Sequence, residues 1–286
     1  TKAICRETNN LDVLLCFTTQ PAGLIGTIVK RKTGLPFCVS VRGGDWYFVQ
    51  PHLLGRMVLR KVFSKANHVL VQTPRIKEEI KRNYPFVEPI VVPNGVEADP
   101  RFASGNSLIF LGNLLWRKGV DVLLNAMKNH PEIPIVIGGD GPERKKLEKI
   151  AQKMNWIKFV GRIEAGKGRD FMVQNGKILV LPAVAGEGMP NVLLEAMSVG
   201  LPVVATDVAG VRDFVEDNVN GFVVPPADIT ALEKAILRLW NDNSLRQRMS
   251  TANKSKVISY SWDSVVEQYT RILSECIEKK DVNCRL

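Results

Sequence analysis

Cysteine is scarce in this chain, five among 286 residues, and no two form a CxxC pair. Cys5, Cys16, Cys38, Cys276 and Cys284 are odd in number and scattered, so neither a disulfide framework nor a zinc site is indicated. A reducing, cytoplasmic setting fits them. Histidine is rarer still: His52, His68 and His130 lie far apart and lack the close spacing of metal ligands. No apolar run approaches the roughly 20 residues of a spanning helix, and the N-terminus carries no signal-peptide pattern. The chain does not read as an integral membrane protein. Internal repeats and low-complexity tracts are missing too.

What is present is a composition 45% hydrophobic and 24% charged, that of a soluble globular protein with a sizeable core. The length suits one large or two ordinary domains. The net charge of +10 is uneven, because residues 1–100 hold 14 Lys/Arg against 8 Asp/Glu. Nucleic acid is not the expected partner: no binding module is recognisable, and the basic stretches have little aromatic interleaving. In LLGRMVLRKVFSK, residues 53–65, Arg56, Arg60, Lys61 and Lys65 recur at helical spacing among Leu, Met, Val and Phe. Such a helix either packs its apolar side and solvates its charges or lies on an anionic membrane surface, peripherally at the inner face of the cell membrane.

Strand and helix patterns alternate along the chain. LDVLLCF, LPFCVSV, ANHVLVQT and EPIVVPN read as buried strands; RGGDWY reads as a loop, and PAGLIGTIVKRKTG and PRIKEEIKRNY as helices. The turn-rich stretch at 93–107 is the best domain boundary, after which the alternation restarts with SLIFLGN, IPIVIGG, WIKFVGR, KILVLPA, LPVVATD and GFVVPP as strands. Near-continuous apolar strands separated by helices predict an α/β protein with two Rossmann-like parallel-sheet domains facing a cleft. Residues 1–98 form the first, 99–261 the second, and 262–286 a C-terminal segment. The first domain looks incomplete. It offers about four strands where a doubly wound domain needs five or more βα units, and the chain starts without methionine, so an upstream segment is expected.

GEGMPNVLLEAM, residues 186–197, places two glutamates eight positions apart around a Gly-Met-Pro-Asn turn. It follows a strand and opens a helix, an arrangement that presents backbone N–H groups and the positive end of a helix dipole to an anion. Glu195 is the only ionisable residue between Asn191 and Ala205. While ionised it accepts hydrogen bonds only, and sugar hydroxyls would supply donors without charge. Read alone, Glu195 is equally an exposed helix residue and Glu187 a surface loop residue.

The string EGMPNVLLEAMSVGLPVVATDVAGVRDFV closely resembles the E-x7-E region of the family-4 retaining glycosyltransferases, which have the GT-B fold. FLGNLLWRKGVDVLLNAM resembles that family's first donor-domain unit, with its G-R-x-x-x-x-K-G pattern. Lys118 and Gly119 match, whereas Asn113 stands at the arginine position and Arg117 lies beside the lysine. IGGDGPERKKLEKIA, FVGRI and SYSWDSVVEQYTRIL resemble further segments, and TGLPFCVSVRGGDWY stands where the family has a strand and H-G-x-D, with Arg42 for the histidine.

The resemblance implies a hexosyltransferase moving a sugar from a nucleotide diphosphate sugar to a lipid-linked or polysaccharide acceptor, with retention, in glycan biosynthesis. It implies Glu187, Lys118 and Arg117 as catalytic residues. The donor would be held by Asn113, Gly161, Arg162, Ile163, Gly188, Met189, Pro190, Asn191, Val192 and Glu195, with Glu195 on the ribose. Arg42, Gly43 and Asp45 would lie on the acceptor side, and the last helix, about 262–278, would return to the first domain. No DxD motif occurs, so neither a metal nor another cofactor is expected. Two alternatives stay open: a non-catalytic nucleotide-sugar-binding subunit or fragment that needs a partner, and a nucleotide-sugar epimerase.

Overall fold

A computed structural model describes residues 11–283 except 186–188 and 209, with side chains through Glu278. The chain divides into two compact units, Thr1–Asn94 with Trp262–Leu286, and Gly95–Ser261.

Unit 1 is built on a parallel sheet of four strands in the order β1 (Leu14–Phe17), β2 (Phe37–Val41), β3 (His68–Val71) and β4 (Ile90–Val91). All five residues of β2 are buried, as expected for a strand covered on both faces. Phe37, Val39 and Val41 point to one face, where they meet Leu59, Val62 and Phe63. Cys38 points to the other and joins Val265, Ile272 and Cys276 of the last helix. The Sγ atoms of Cys38 and Cys276 lie 3.2 Å apart, and that contact, then burial, pushes the Cys38 thiol well above its ordinary pKa.

The helices of this unit are α1 (Leu24–Thr33), α2 (Gly43–Tyr47), α3 (Leu53–Phe63) and α4 (Pro74–Asn83). Helix α1 stops at Gly34, whose φ of 73° is left-handed and whose N–H donates to Lys30 O at 2.9 Å. Helix α4 starts on Thr73, whose hydroxyl accepts from Ile76 N–H, with Pro74 in its first turn. The stretch RGGDWY, expected as a loop, is the short helix α2. Its start is closed by the Asp45 carboxylate, which accepts the Arg42 N–H at 3.0 Å, and it is anchored by the buried Trp46.

Unit 2 has a six-stranded parallel sheet. Its strands are β5 (Ser107–Leu111), β6 (Ile135–Gly138), β7 (Ile157–Gly161), β8 (Gly176–Leu181), β9 (Val203–Thr206) and β10 (Gly221–Val224). They lie in the order β10-β9-β8-β5-β6-β7. One face packs Leu108, Phe110, Ile135 and Ile178 against Leu123, Leu232 and Ile236. The other packs Ile109, Leu179 and Val203 against Leu193, Met197 and Met172. The helices are α5 (Val120–Ala126), α6 (Arg144–Ile150), α7 (Gly168–Asn175), α8 (Asn191–Ser198), α9 (Ile229–Asn241) and α10 (Asn243–Val257). Of these, α7 and α10 have no counterpart in the sequence reading. The last helix, α11 (Trp262–Asn283), belongs to unit 1.

The strand order positions the site. From β5 the chain proceeds outward through β6 and β7; from β8 it proceeds the opposite way through β9 and β10. The loops leaving the carboxyl ends of β5 and β8 therefore diverge, and between them lies the crevice where doubly wound sheets bind ligands.

Candidate functional site

Two loops meet at that crevice. The one after β5 runs through Asn113 to a 3-10 turn, Trp116–Lys118, and then Gly119. The one after β8 runs through Pro182 and Val184. They are pinned together, since Val184 N–H donates to Arg117 O at 2.8 Å. Gly119 has φ 63°, and a Cβ there would stand 2.0 Å from Pro182 O, so only glycine permits the approach. Lys118 lines a pocket shared with Leu111, Leu181, Ala183, Pro190 and Val192. Among the described residues this lysine is the one charged group in that lining, a point charge on an otherwise apolar wall.

Helix α8 begins beside Lys118. Met189 and Pro190 are buried and anchor its entry, while Asn191 is exposed. Pro190, at the N-cap, makes no side-chain cap hydrogen bond, and the helix start carries the positive end of the helix dipole. One turn further on, Glu195 is half-buried. A Cβ on Gly168 would lie 2.7 Å from its Oε2 and 3.4 Å from Leu111, which places the carboxylate at the start of α7, near the end of β5. Burial pushes the Glu195 carboxyl above its ordinary pKa, opposed by the charge of Arg169. Arg169 is itself occupied: its guanidinium donates to the carbonyl and the carboxylate of Glu97. Among the described residues no group donates a hydrogen bond to the Glu195 carboxylate, which leaves its oxygens to solvent or a ligand.

A second cavity of ≈ 360 Å³ opens on the other side of Leu111, lined also by Gly112, Asn113, Gly139, Arg162 and Ile163. Gly161, with φ 76°, accepts the Gly139 N–H at 2.7 Å and so ties the end of β7 to the end of β6. Asn113 and Arg162 are exposed at its rim. Leu111 borders both cavities and the Glu195 carboxylate. The structure thus gathers Asn113, Lys118, Gly161, Arg162, Ile163, Pro190, Val192 and Glu195 around the end of β5. Arg117 contributes its carbonyl to the loop junction. Glu187 and Gly188 lie outside the described residues.

Arg42, Gly43 and Asp45 sit together in unit 1, at the end of β2. The Arg42 guanidinium donates to Asn94 Oδ1 and stacks 4.8 Å from the Phe17 ring centroid. Gln72 fixes the same corner, accepting Gly43 N–H at 3.3 Å and donating to Asn94 at 2.7 Å. Asp45 is buried, which pushes its carboxyl up against the lowering by the Arg42 N–H. It serves as a helix anchor. Sequence reasoning missed Gly168, Gly139 and Leu111. Gly139 lies within the quoted IGGDG stretch, whereas Gly168 meets Glu195 only through the fold. Among the described residues no group of three His, Cys, Asp or Glu could hold a metal ion, and no helix is long and apolar enough to cross a membrane.

Residues 97–256, more than half of the chain, match the family profile "Glycosyl transferases group 1". The chain belongs to that family. Residues 2–100 of this group 1 glycosyl transferase match the profile "Glycosyltransferase Family 4". An uncharacterized glycosyltransferase of Methanocaldococcus jannaschii is 27% identical over 94% of the chain and 77% of its own length. The phosphatidyl-myo-inositol mannosyltransferase of Mycobacterium leprae is 31% identical over 64% of the chain, which spans only 52% of that relative. Among solved structures, Anabaena HepE in complex with UDP superposes with a TM-score of 0.84 at 18% identity, over 96% of this chain and 81% of that one. Sucrose-phosphate synthase from Thermosynechococcus elongatus gives 0.84 at 20% identity, over 97% and 77%. These likenesses, with the two parallel-sheet units, identify the fold as GT-B.

Proposed function

We propose that this chain transfers a hexosyl group from a nucleotide diphosphate sugar to a lipid-linked or polysaccharide acceptor, with retention at the anomeric carbon. The observation that carries the reading is Glu195: a half-buried carboxylate to which no described residue donates, at the switch point of a parallel sheet, one turn from a helix start and across Leu111 from Lys118. Ribose hydroxyls satisfy such a carboxylate and bring no charge of their own. Lys118, with Arg117 and the start of α8 at Met189–Val192, takes the diphosphate and stabilises its charge as the sugar leaves, without a metal. The base enters the cavity at Asn113 and Gly161–Ile163, and Glu187 and Gly188 meet the donor sugar. The acceptor side is Arg42, Gly43 and Asp45.

The solved HepE complexes contain UDP, UDP-glucose, or UDP with glucose, which supports a nucleotide sugar as the donor class. The mannosyltransferase relatives are named for a phosphatidyl-inositol acceptor, which supports a lipid-linked one. The test is calorimetric titration with UDP, GDP and ADP, repeated on Glu195→Gln. One nucleotide should bind, and the variant should lose about 10–100-fold in affinity, the worth of one hydrogen bond to a charged acceptor. Equal affinity in the variant would remove Glu195 from the donor site.

A further inference from the structure

Helix α3 is amphipathic in an unusual sense. Its inner face packs Leu59, Val62 and Phe63 at 0–4% exposure, which accounts for its place in the core. Its outer face carries Leu53, Leu54, Arg56, Met57, Arg60 and Lys61, which fall within about 160° of the helical circumference. Three of these are large apolar side chains standing in water: Leu53 is 70% exposed, Leu54 76% and Met57 61%. Phe48, in the preceding turn, is 54% exposed. The start of α3 is held firmly, because a Cβ on Gly55 would come within 1.9 Å of Val49 O. Leu53 and Leu54 lie at the start of the outer face, Arg60 and Lys61 toward its end, and Arg56 and Met57 between them.

The sequence around α3 is strongly basic, and two of the acids that follow, Glu79 and Glu88, are paired with Arg75, Lys77 and Lys81 of α4. Residues 13–77 include ten Lys/Arg and a single acid, Asp45, which is buried and engaged in capping α2. Lys30, at the end of α1, donates to Lys65 O at 2.9 Å, so the basic last turn of α1 lies against the end of α3. Arg60 stacks 5.7 Å from the ring of Phe86, which is also exposed. Large apolar side chains grouped in water mark an interaction surface.

We propose that the outer face of α3 docks on an anionic lipid bilayer surface, with Leu53, Leu54, Met57 and Phe48 entering the acyl boundary and Arg56, Arg60, Lys61 and Lys65 contacting headgroup phosphates. A lipid surface offers both chemistries side by side, and long basic side chains reach up to phosphate while their stems stay apolar. A second copy of the chain fits poorly, since a two-fold contact would bring these cations against one another. The inference does not rest on the donor site, which lies wholly in unit 2.

The test is co-sedimentation of the whole chain with vesicles of phosphatidylcholine alone or mixed with phosphatidylglycerol, across a salt series. Binding should require the anionic lipid and weaken with salt. Arg60→Gln with Lys61→Gln should lower the partition constant about thirtyfold. Leu54→Gln with Met57→Gln should lower it by more than about tenfold. Both variants should keep the parent circular dichroism and Tm, because the side chains are exposed. Equal binding to neutral vesicles, or no binding to either, overturns the proposal. So does a dimer in sedimentation velocity that the Leu54/Met57 variant dissolves, which would assign the face to a second copy.

Discussion

Glu195 sits one turn into α8 with Gly168 against its Oε2, and burial raises its carboxyl pKa while Arg169, already paired to Glu97, only partly offsets the shift. A carboxyl whose folded pKa lies above its unfolded value binds more protons in the folded state, so stability falls as pH rises from about 4.5 through the raised pKa. The penalty is complete once the pH exceeds that raised pKa. Glu195→Gln should therefore raise the Tm of the ligand-free protein as the pH climbs toward neutral and beyond, and the gain should vanish on acidification below the ordinary carboxylate range. Scanning calorimetry across pH checks this, and an unchanged Tm at neutral pH would mean that the carboxylate is adequately solvated. Together with weaker nucleotide binding in the same variant, the pattern separates a binding role from a structural one. In the sequence, Glu195 is conspicuous as the lone ionisable residue between Asn191 and Ala205. Gly168 is not, because the two meet through packing of α7 on α8, across 27 positions of chain.

Elements were legible to unequal degrees, for physical reasons. Strands β2, β5, β8 and β9 are covered on both faces, so each appears as a continuous apolar run. Helix α7 escaped because it opens on glycine and buries just Phe171 and Met172 among its eight residues. Helix α10 escaped because its sequence is mostly polar and one of its four buried residues is Asn253. That asparagine is fully buried; it donates to Leu201 O and Asn220 O at 3.0 Å, and accepts from Asn220 Nδ2 at 3.0 Å. Truncating it strands two carbonyls and one N–H of the Asn220 side-chain amide, whose other N–H stays on Phe214 O, in a dry interior. Asn253→Ala should destabilise unit 2 by about 2–4 kcal/mol, measured by native-state hydrogen exchange in α8 and β10. Thr251→Ala, on the exposed side of the same helix, should change it by less than about 0.5 kcal/mol. A loss under about 1 kcal/mol at Asn253 would show that water replaces the amide.

Across the whole chain, charge and chemistry are segregated by unit. Unit 1 holds 18 Lys/Arg against 11 Asp/Glu, most of the net +10, whereas the switch-point crevice belongs to unit 2. The basic bias of the first third was visible in composition alone. That Leu53, Leu54 and Met57 face water was not, because an amphipathic pattern does not say which apolar positions the core will take. If the two readings are independent, hydrogen exchange with mass spectrometry should show each ligand protecting its own unit. Saturating nucleotide, at about 100 times its Kd, stabilises the bound unit by about 2.7 kcal/mol. Exchange should slow up to about hundredfold in amides of 107–124 and 189–198 that exchange through global opening, with little change in 48–63. Anionic vesicles should do the reverse, protecting 48–63 and leaving 189–198 unchanged. Protection of α3 by nucleotide alone would demand a coupling free energy between the units, and by reciprocity vesicles would then have to tighten nucleotide binding by the same factor.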